Sequence, residues 1–329
     1  MGWWQVSTDT LAGSRFAVSP LAETTAALKS LDHAQAAHPG ERAWLARHLA
    51  AYRARLAADP VAARLVAVGL GRDWNADFLT PTPAGVGEAD FEDELAAIAG
   101  TPPEAARADL VVSQGGPLPE PLRSADDLPE RAARILDWVW VNAVRPDWPR
   151  RRRVIEADIA ARTARLGRGG WAGALDGLRP DMRWMGDSRL RINAYDHPPR
   201  RLDGAQLMFV PVTPVTVRRG WVAWEEPHRY AVVYACAGTL SDAGRTTVPQ
   251  ALGRLLGPSR AAVLMLLDSP KSTTQLTALT GQGLGSVGRH LKVLLDAGLA
   301  ERSRAGRSVL YFRTPAGEVL VNAQHQQES

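Results

Sequence analysis

Residues Ser272 to Arg313 read STTQLTALTGQGLGSVGRHLKVLLDAGLAERSRAGRSVLYFR. Ser272-Thr273-Thr274-Gln275 has the spacing of a capping box, in which the hydroxyl accepts from a backbone N–H three residues on and the Gln amide reaches back. Leu276 and Leu279 share one helical face. Gly281 stops this helix, because glycine adopts positive φ without strain. A second helix is predicted over 284–297. Leu284, Val287, Leu291 and Leu294 recur at three- and four-residue spacing and predict one buried stripe. Gly285, Arg289 and Lys292 fall on the opposite face, with Ser286 and Gly288 at its edges. Asp296-Ala297-Gly298 closes the helix. Leu299 to Arg304 and Arg307 to Arg313 read as two strands joined by Ala305-Gly306, a hairpin over 299–313 with arginines at its tip. Helix, tight turn, helix with a small cationic outward face, and hairpin make a winged helix-turn-helix. The second helix of such a unit is shaped to enter a DNA major groove.

SVGRHLKVLLDAGL followed by RAGRSVLYFRT also resembles the recognition helix and wing of the ArsR-type transcriptional repressors. Arg289, His290, Leu291, Lys292, Leu294, Ala297, Gly298, Leu299, Gly306 and Arg307 fit the family pattern. Two positions depart from it: Gly283 stands where the family has a Ser or Thr N-cap, and Gly288 where it has a base-facing Ser. With Gly285 this puts three glycines in the first two turns, each interior one costing roughly 0.5–1 kcal/mol of helix stability against Ala. The resemblance covers about the last quarter of the chain. It implies a repressor that binds double-stranded DNA as a homodimer, since symmetry doubles the contact area and operators mirror it.

Within that frame Arg289 sits at the centre of the outward face, where an arginine reads a guanine edge or clamps a phosphate. Ser286 and Lys292 flank it as phosphate ligands. His290 lies a quarter-turn off the core stripe, as a half-buried packing or phosphate residue. Arg304 and Arg307 at the wing tip reach the backbone or the minor groove, or else form a solvated hairpin tip. Metal sensing in this family uses clustered cysteines in the first helix of the motif, or Asp and His pairs in the terminal helix. Here the first helix has no Cys or His, and the terminal helix offers only Glu318 and His325. A metal site needs three or four convergent donors, so neither a metal nor a cofactor is expected.

The chain has 329 residues, 45% of them apolar and 22% charged, which suits two globular domains. No apolar run reaches the roughly 18 residues of a membrane-spanning helix. MGWWQVSTDT lacks both the basic start and the apolar core of a signal peptide, and the single cysteine, Cys236, excludes an intramolecular disulfide. A cytoplasmic protein is expected. Charge is divided unevenly. From Val248 onward there are nine Lys and Arg against five Asp and Glu, so the whole net charge of +4 belongs to this segment. That is the footprint of a module that neutralises phosphates.

The fold class predicted is α+β: a mostly helical N-terminal domain with a small antiparallel sheet, residues 1–240, followed by the winged helix-turn-helix domain, 248–329. Helices are predicted over 21–37, 41–58, 61–69, 91–99, 129–144 and 149–166. The proline-rich stretch 113–129 reads as exposed linker or loop. Arg150 to Arg153 at a helix start form either a phosphate or acidic-partner surface or a solvated face. From Trp184 the period changes, and 189–194, 205–212, 215–224 and 230–236 read as an antiparallel sheet of about four strands. Leu240 to Val248 is a polar linker. Trp138, the helix ending in ADIAARTARLG, RLDGAQLMFVPV and VVYACAG resemble regulators of high-GC bacteria that place a domain of unknown function before an ArsR-type winged helix.

No catalytic motif is present: no G-x-S-x-G, HExxH, Walker loop or dinucleotide fingerprint. The front domain therefore reads as a sensor or assembly module; the alternative is an enzyme or protein-interaction module fused to a DNA-binding tail. All 11 tryptophans precede residue 248. Trp138, Trp171, Trp184, Trp221 and Trp224 either wall a pocket for a small apolar effector or simply fill helix-on-sheet cores.

Overall fold

The computed structural model describes residues 2–36, 39–71, 74–83, 90–193, 198–214, 220–236, 248–267, 271–305 and 308–325. The chain opens with strand β1 (Trp3–Val6), helix α1 (Thr8–Gly13) and strand β2 (Arg15–Phe16). A helical run follows: α2 (Pro20–His33), α3 (Pro39–Ala57), α4 (Pro60–Gly69), α5 (Phe91–Ala99), α6 (Pro103–Gln114), α7 (Leu128–Val139) and the long α8 (Trp148–Leu175). Strands β3 (Arg183–Gly186), β4 (Arg189–Arg191), β5 (Arg200–Leu202), β6 (Gln206–Val212), β7 (Trp221–Glu225) and β8 (Arg229–Ala235) complete the front part. The C-terminal part comprises α9 (Gln250–Leu256), α10 (Pro258–Leu266), β9 (Lys271–Ser272), α11 (Thr273–Thr280), α12 (Leu284–Asp296), β10 (Ala300–Ala305), β11 (Ser308–Arg313) and α13 (Pro315–His325). Helix starts are written locally. Ser19 and Asp59 each accept a hydrogen bond from the amide three residues on, and a proline sits at the first helical position of α2 and α4, where no N–H is needed.

Leu207 to Val212 of β6 carries an apolar side chain at every position, which a strand needs only when both its faces are covered. Both are. Leu207 and Phe209, with Tyr230, Val232 and Tyr234 of β8, face a core shared with Trp4, Val6, Leu190 and Leu202 of the neighbouring sheet. Met208, Val210 and Val212, with Ala231 and Val233, turn the other way onto Ala22 and Ala26 of α2, whose small side chains let the helix lie close. One expectation is corrected here. Among the described residues two sheets are four-stranded and both are mixed, ordered β2-β6-β8-β7 and β3-β4-β1-β5. β6 runs parallel to β8 and to β2, and only β7 is antiparallel, at the edge of β8; β1 likewise pairs parallel with β5 and antiparallel with β4.

On the far side of α2 lies a helical core in which Leu28, Leu31, Leu65, Ile98, Leu110 and Leu136 from five helices are buried. The proline-rich loop between α6 and α7 is pinned to this core by Leu118 and Leu122, so it is not an exposed linker. Arg151, Val154, Ile155, Asp158 and Arg162 form the buried stripe of α8. The helix breaks at Gly170, where φ is +61°, and resumes for one turn. Arg162 staples across the break by donating to the Ala174 carbonyl at 3.1 Å, while Asp158 accepts from it at 2.9 Å and from the Tyr234 hydroxyl at 2.7 Å. The C-terminal part has its own core, built from Leu252, Leu264, Leu276, Val287, Leu291, Leu294 and Val321, and α11 packs against α8. Of the predicted linker, 240–247 lies outside the described residues.

Candidate nucleic-acid interface

α10, α11 and α12 pack on one another. α11 starts at Thr273, directly after Ser272; the side chain of Gln275, the other half of the predicted capping box, lies outside the described residues. Gly281 ends the helix at φ +68°, donating its N–H to the Thr277 carbonyl at 3.1 Å. Gly283 then opens α12 from extended backbone, with no side chain to cap the first amides. The Ser286 amide donates to the Gly283 carbonyl at 2.9 Å, and the positive end of the helix dipole at this turn favours an anion such as phosphate.

The 3.6-residue stripe of α12 holds for Val287, Leu291 and Leu294, which are buried. Leu284 does not belong to it: at 59% exposure it stands in solvent, one turn ahead of the first residue the neighbouring helices bury. Gly285, Arg289 and Lys292 are exposed along the opposite face, and Val293 beside them is 39% exposed. Ser286 and His290 are half-buried at the edge, with Ser286 Oγ 3.3 Å from His290 Nε2 and 3.3 Å from Gln282 Oε1. Burial holds the His290 imidazole below its ordinary range, and the charges of Arg260 and Arg289 add to this.

β10 and β11 pair antiparallel from Ala300 with Arg313 to Ala305 with Ser308, and β9 adds a third strand beside β11. Gly306 and Arg307, between the two strands, lie outside the described residues, as does the side chain of Arg304. Arg302, which the sequence reading passed over, is exposed on β10 opposite Tyr311. Its signal was present, for it is the arginine two residues before Arg304 in the same strand. Arg313 is not available in this way: it pairs with Glu318 at 3.0 Å. Residues 258–302 match the family model described as bacterial regulatory protein, arsR family. This segment is an ArsR-type helix-turn-helix. The ArsR-type segment spans α10, α11, α12 and the start of β10, and it makes the chain a DNA-binding regulator of transcription. No curated protein and no solved structure matches the chain.

Outside the ArsR-type segment the five tryptophans of the predicted apolar pocket are divided among three cores. Trp138 packs on the helical core, Trp171, Trp184 and Trp224 on the core between the sheets, and Trp221 in the core beneath α2. Three of the five rings thus share one core, and Trp138 and Trp221 lie in two others. A cavity of about 140 Å3 opens elsewhere, lined by Trp44, Arg47, Arg150 and Arg151, and its walls are partly polar and partly apolar. The four-arginine run is thus neither a uniform solvated face nor a uniform anion surface. Arg151 is 2% exposed and donates to Glu23 at 2.6 Å and to Thr213 Oγ1 at 3.2 Å, whereas Arg152 pairs on the surface with Glu156 at 2.9 Å. Cys236 is buried against Val154 and Ile155, and burial raises its thiol well above the ordinary range, so it behaves as a small apolar side chain. Among the described residues no group of three His, Cys, Asp or Glu side chains could hold a metal ion, and no helix is long and apolar enough to cross a membrane.

Proposed function

We propose that the chain is a cytoplasmic, homodimeric transcriptional repressor. Helix 284–297 reads the major groove, and the hairpin 299–313 acts as a wing on the backbone or minor groove. The observation that carries this is the division of α12 into a face buried by α10 and α11 and a face on which Arg289 and Lys292 are exposed at three-residue spacing. A guanidinium at the middle of such a face meets base edges or phosphates, and the exposed Leu284 suits a thymine methyl. Arg302, Arg304 and Arg307 place cationic residues along the wing. Dimerisation is supported by α9 and α13, which pack on each other and leave Leu255 66% and Val319 69% exposed. Burying such side chains against a second copy removes apolar area from water. The front domain, 1–240, serves as sensor or assembly module.

Arg289→Ala tests the reading. It removes a surface guanidinium and no core contact, so specific DNA binding should weaken by roughly 1–3 kcal/mol while the circular dichroism spectrum is retained. Gel-shift titration on an operator selected from random sequence measures it. Unchanged affinity would remove α12 from the interface.

A further inference from the structure

The cavity beside the first turn of α8 is assembled from charged groups around one aromatic wall. Arg151 forms its inner end. This guanidinium is 2% exposed, its Nη1 is engaged by Glu23 and Thr213, and its Nε–H has no hydrogen-bond acceptor. The guanidinium carbon lies 5.2 Å from the centre of the Trp44 ring, and Trp44 is itself fixed by donating its Nε1–H to the Ala143 carbonyl at 2.9 Å. Arg47, exposed at the mouth, and Arg150, half-buried, add two more cations; Glu41 and Asp147 line the same space as acceptors.

We propose that this cavity binds a small planar organic carboxylate carrying a hydrogen-bond donor, and that its occupancy changes DNA affinity. The carboxylate lies against Arg47 and Arg150, near the buried Arg151; the flat body lies on Trp44; a hydroxyl or ring N–H donates to Glu41 or Asp147. Guanidinium groups match carboxylates in a two-pronged geometry, which a plain apolar molecule cannot use. The room of about 140 Å3 sets the size. An engineered cavity of about 150 Å3 holds benzene, so a single six-membered ring with one carboxyl at the open side is the scale that fits. The route to DNA is α8 itself. Its first turn lines the cavity, and the same helix packs against α11, the first helix of the ArsR-type motif. A ligand that shifts α8 therefore biases the placement of α12. This part of the proposal rests on the regulator reading, whereas binding in the cavity does not.

Isothermal titration of the full-length protein with 4-hydroxybenzoate, nicotinate and benzoate tests the site. Saturable binding of at least one of them, at one per chain, is expected. Arg47→Ala and Arg150→Ala should each weaken it about tenfold or more, with thermal unfolding unchanged in Arg47→Ala because that side chain is exposed. No binding by any of the three carboxylates overturns the ligand class. Binding of phenol as tight as that of 4-hydroxybenzoate, or binding that survives both substitutions, overturns the anion site. A gel shift without ligand tests DNA binding separately, so its failure removes the regulator reading and leaves the cavity standing. At saturating ligand the shift should move by about fivefold or more in DNA concentration. An unmoved shift overturns the coupling through α8.

Discussion

Glu94 ties α5 to the start of α2: its carboxylate accepts from the Ser19 hydroxyl at 2.7 Å and from the Leu21 amide at 3.0 Å. Those hydrogen bonds favour the ionised form, but burial outweighs them and raises the group from 4.5 to about 7. The sign for stability follows. Between about pH 4.5 and 7 the folded chain holds a proton that the unfolded chain has released, so stability falls as pH rises through this window and levels off above it. Glu94→Gln keeps the shape and removes the titration. Between about pH 5 and pH 8 the native protein should lose roughly 2–3 kcal/mol more stability than the variant does. Urea unfolding at the two pH values measures the difference. Parallel behaviour of the two proteins would show that Glu94 ionises as freely in the fold as in the open chain. Asp77 is likewise pushed up to about 6, by burial first and the nearby Asp109 second, but both proteins share it and the comparison cancels it.

At the scale of elements, α12 carries an avoidable weakness. A Cβ built on Gly285 or on Gly288 would meet no atom within 4 Å, so neither glycine is required by packing. Alanine in a helix interior is roughly 0.5–1 kcal/mol more favourable than glycine. The double variant Gly285→Ala, Gly288→Ala should therefore gain about 1–2 kcal/mol, and the ArsR-type module should melt several degrees higher in a thermal scan. A lower melting temperature would mean that these positions meet something other than solvent. This helix also shows what could be read from sequence. Three of four stripe residues, the exposed Arg289 and Lys292, and the stop at Gly281 all follow from short-range spacing. Leu284 does not, because whether a first-turn side chain is covered depends on the partner helices. The sheets failed for a related reason. A strand buried on both faces reads as one apolar run whether its neighbour is parallel or antiparallel, and β2 and β5, of two and three residues, are too short to show a period. Arg151 could have been found: it stands three and four residues before Val154 and Ile155, on the stripe α8 buries. The tryptophans could not be placed, since nothing local tells a pocket wall from a core filler.

For the whole molecule, cores and charge divide the chain at the same place. Every residue of the C-terminal core, from Leu252 to Val321, belongs to the segment that also carries the net charge of +4, while the rest of the chain is balanced. A core drawn from α9 to α13 without help is what an independently folding unit needs, and domains of this size fold alone. Residues 248–329 expressed by themselves should be helical by circular dichroism and should unfold cooperatively. Their DNA affinity need not equal that of the full chain, because α11 loses its contact with α8. The salt dependence should be equal. The slope of log affinity against log salt counts the phosphates neutralised, at about 0.9 per contact, and is blind to how the module is held. If the exposed Arg152 and Arg153 of α8 reached the backbone, the full chain would show the steeper slope, by about one to two. Equal slopes over a salt titration are expected, with Arg152 already engaged by Glu156 and the front part contributing no phosphate contact. A fragment that fails to fold would mean that α8 completes the module, and a steeper slope in the full chain would extend the DNA interface onto α8.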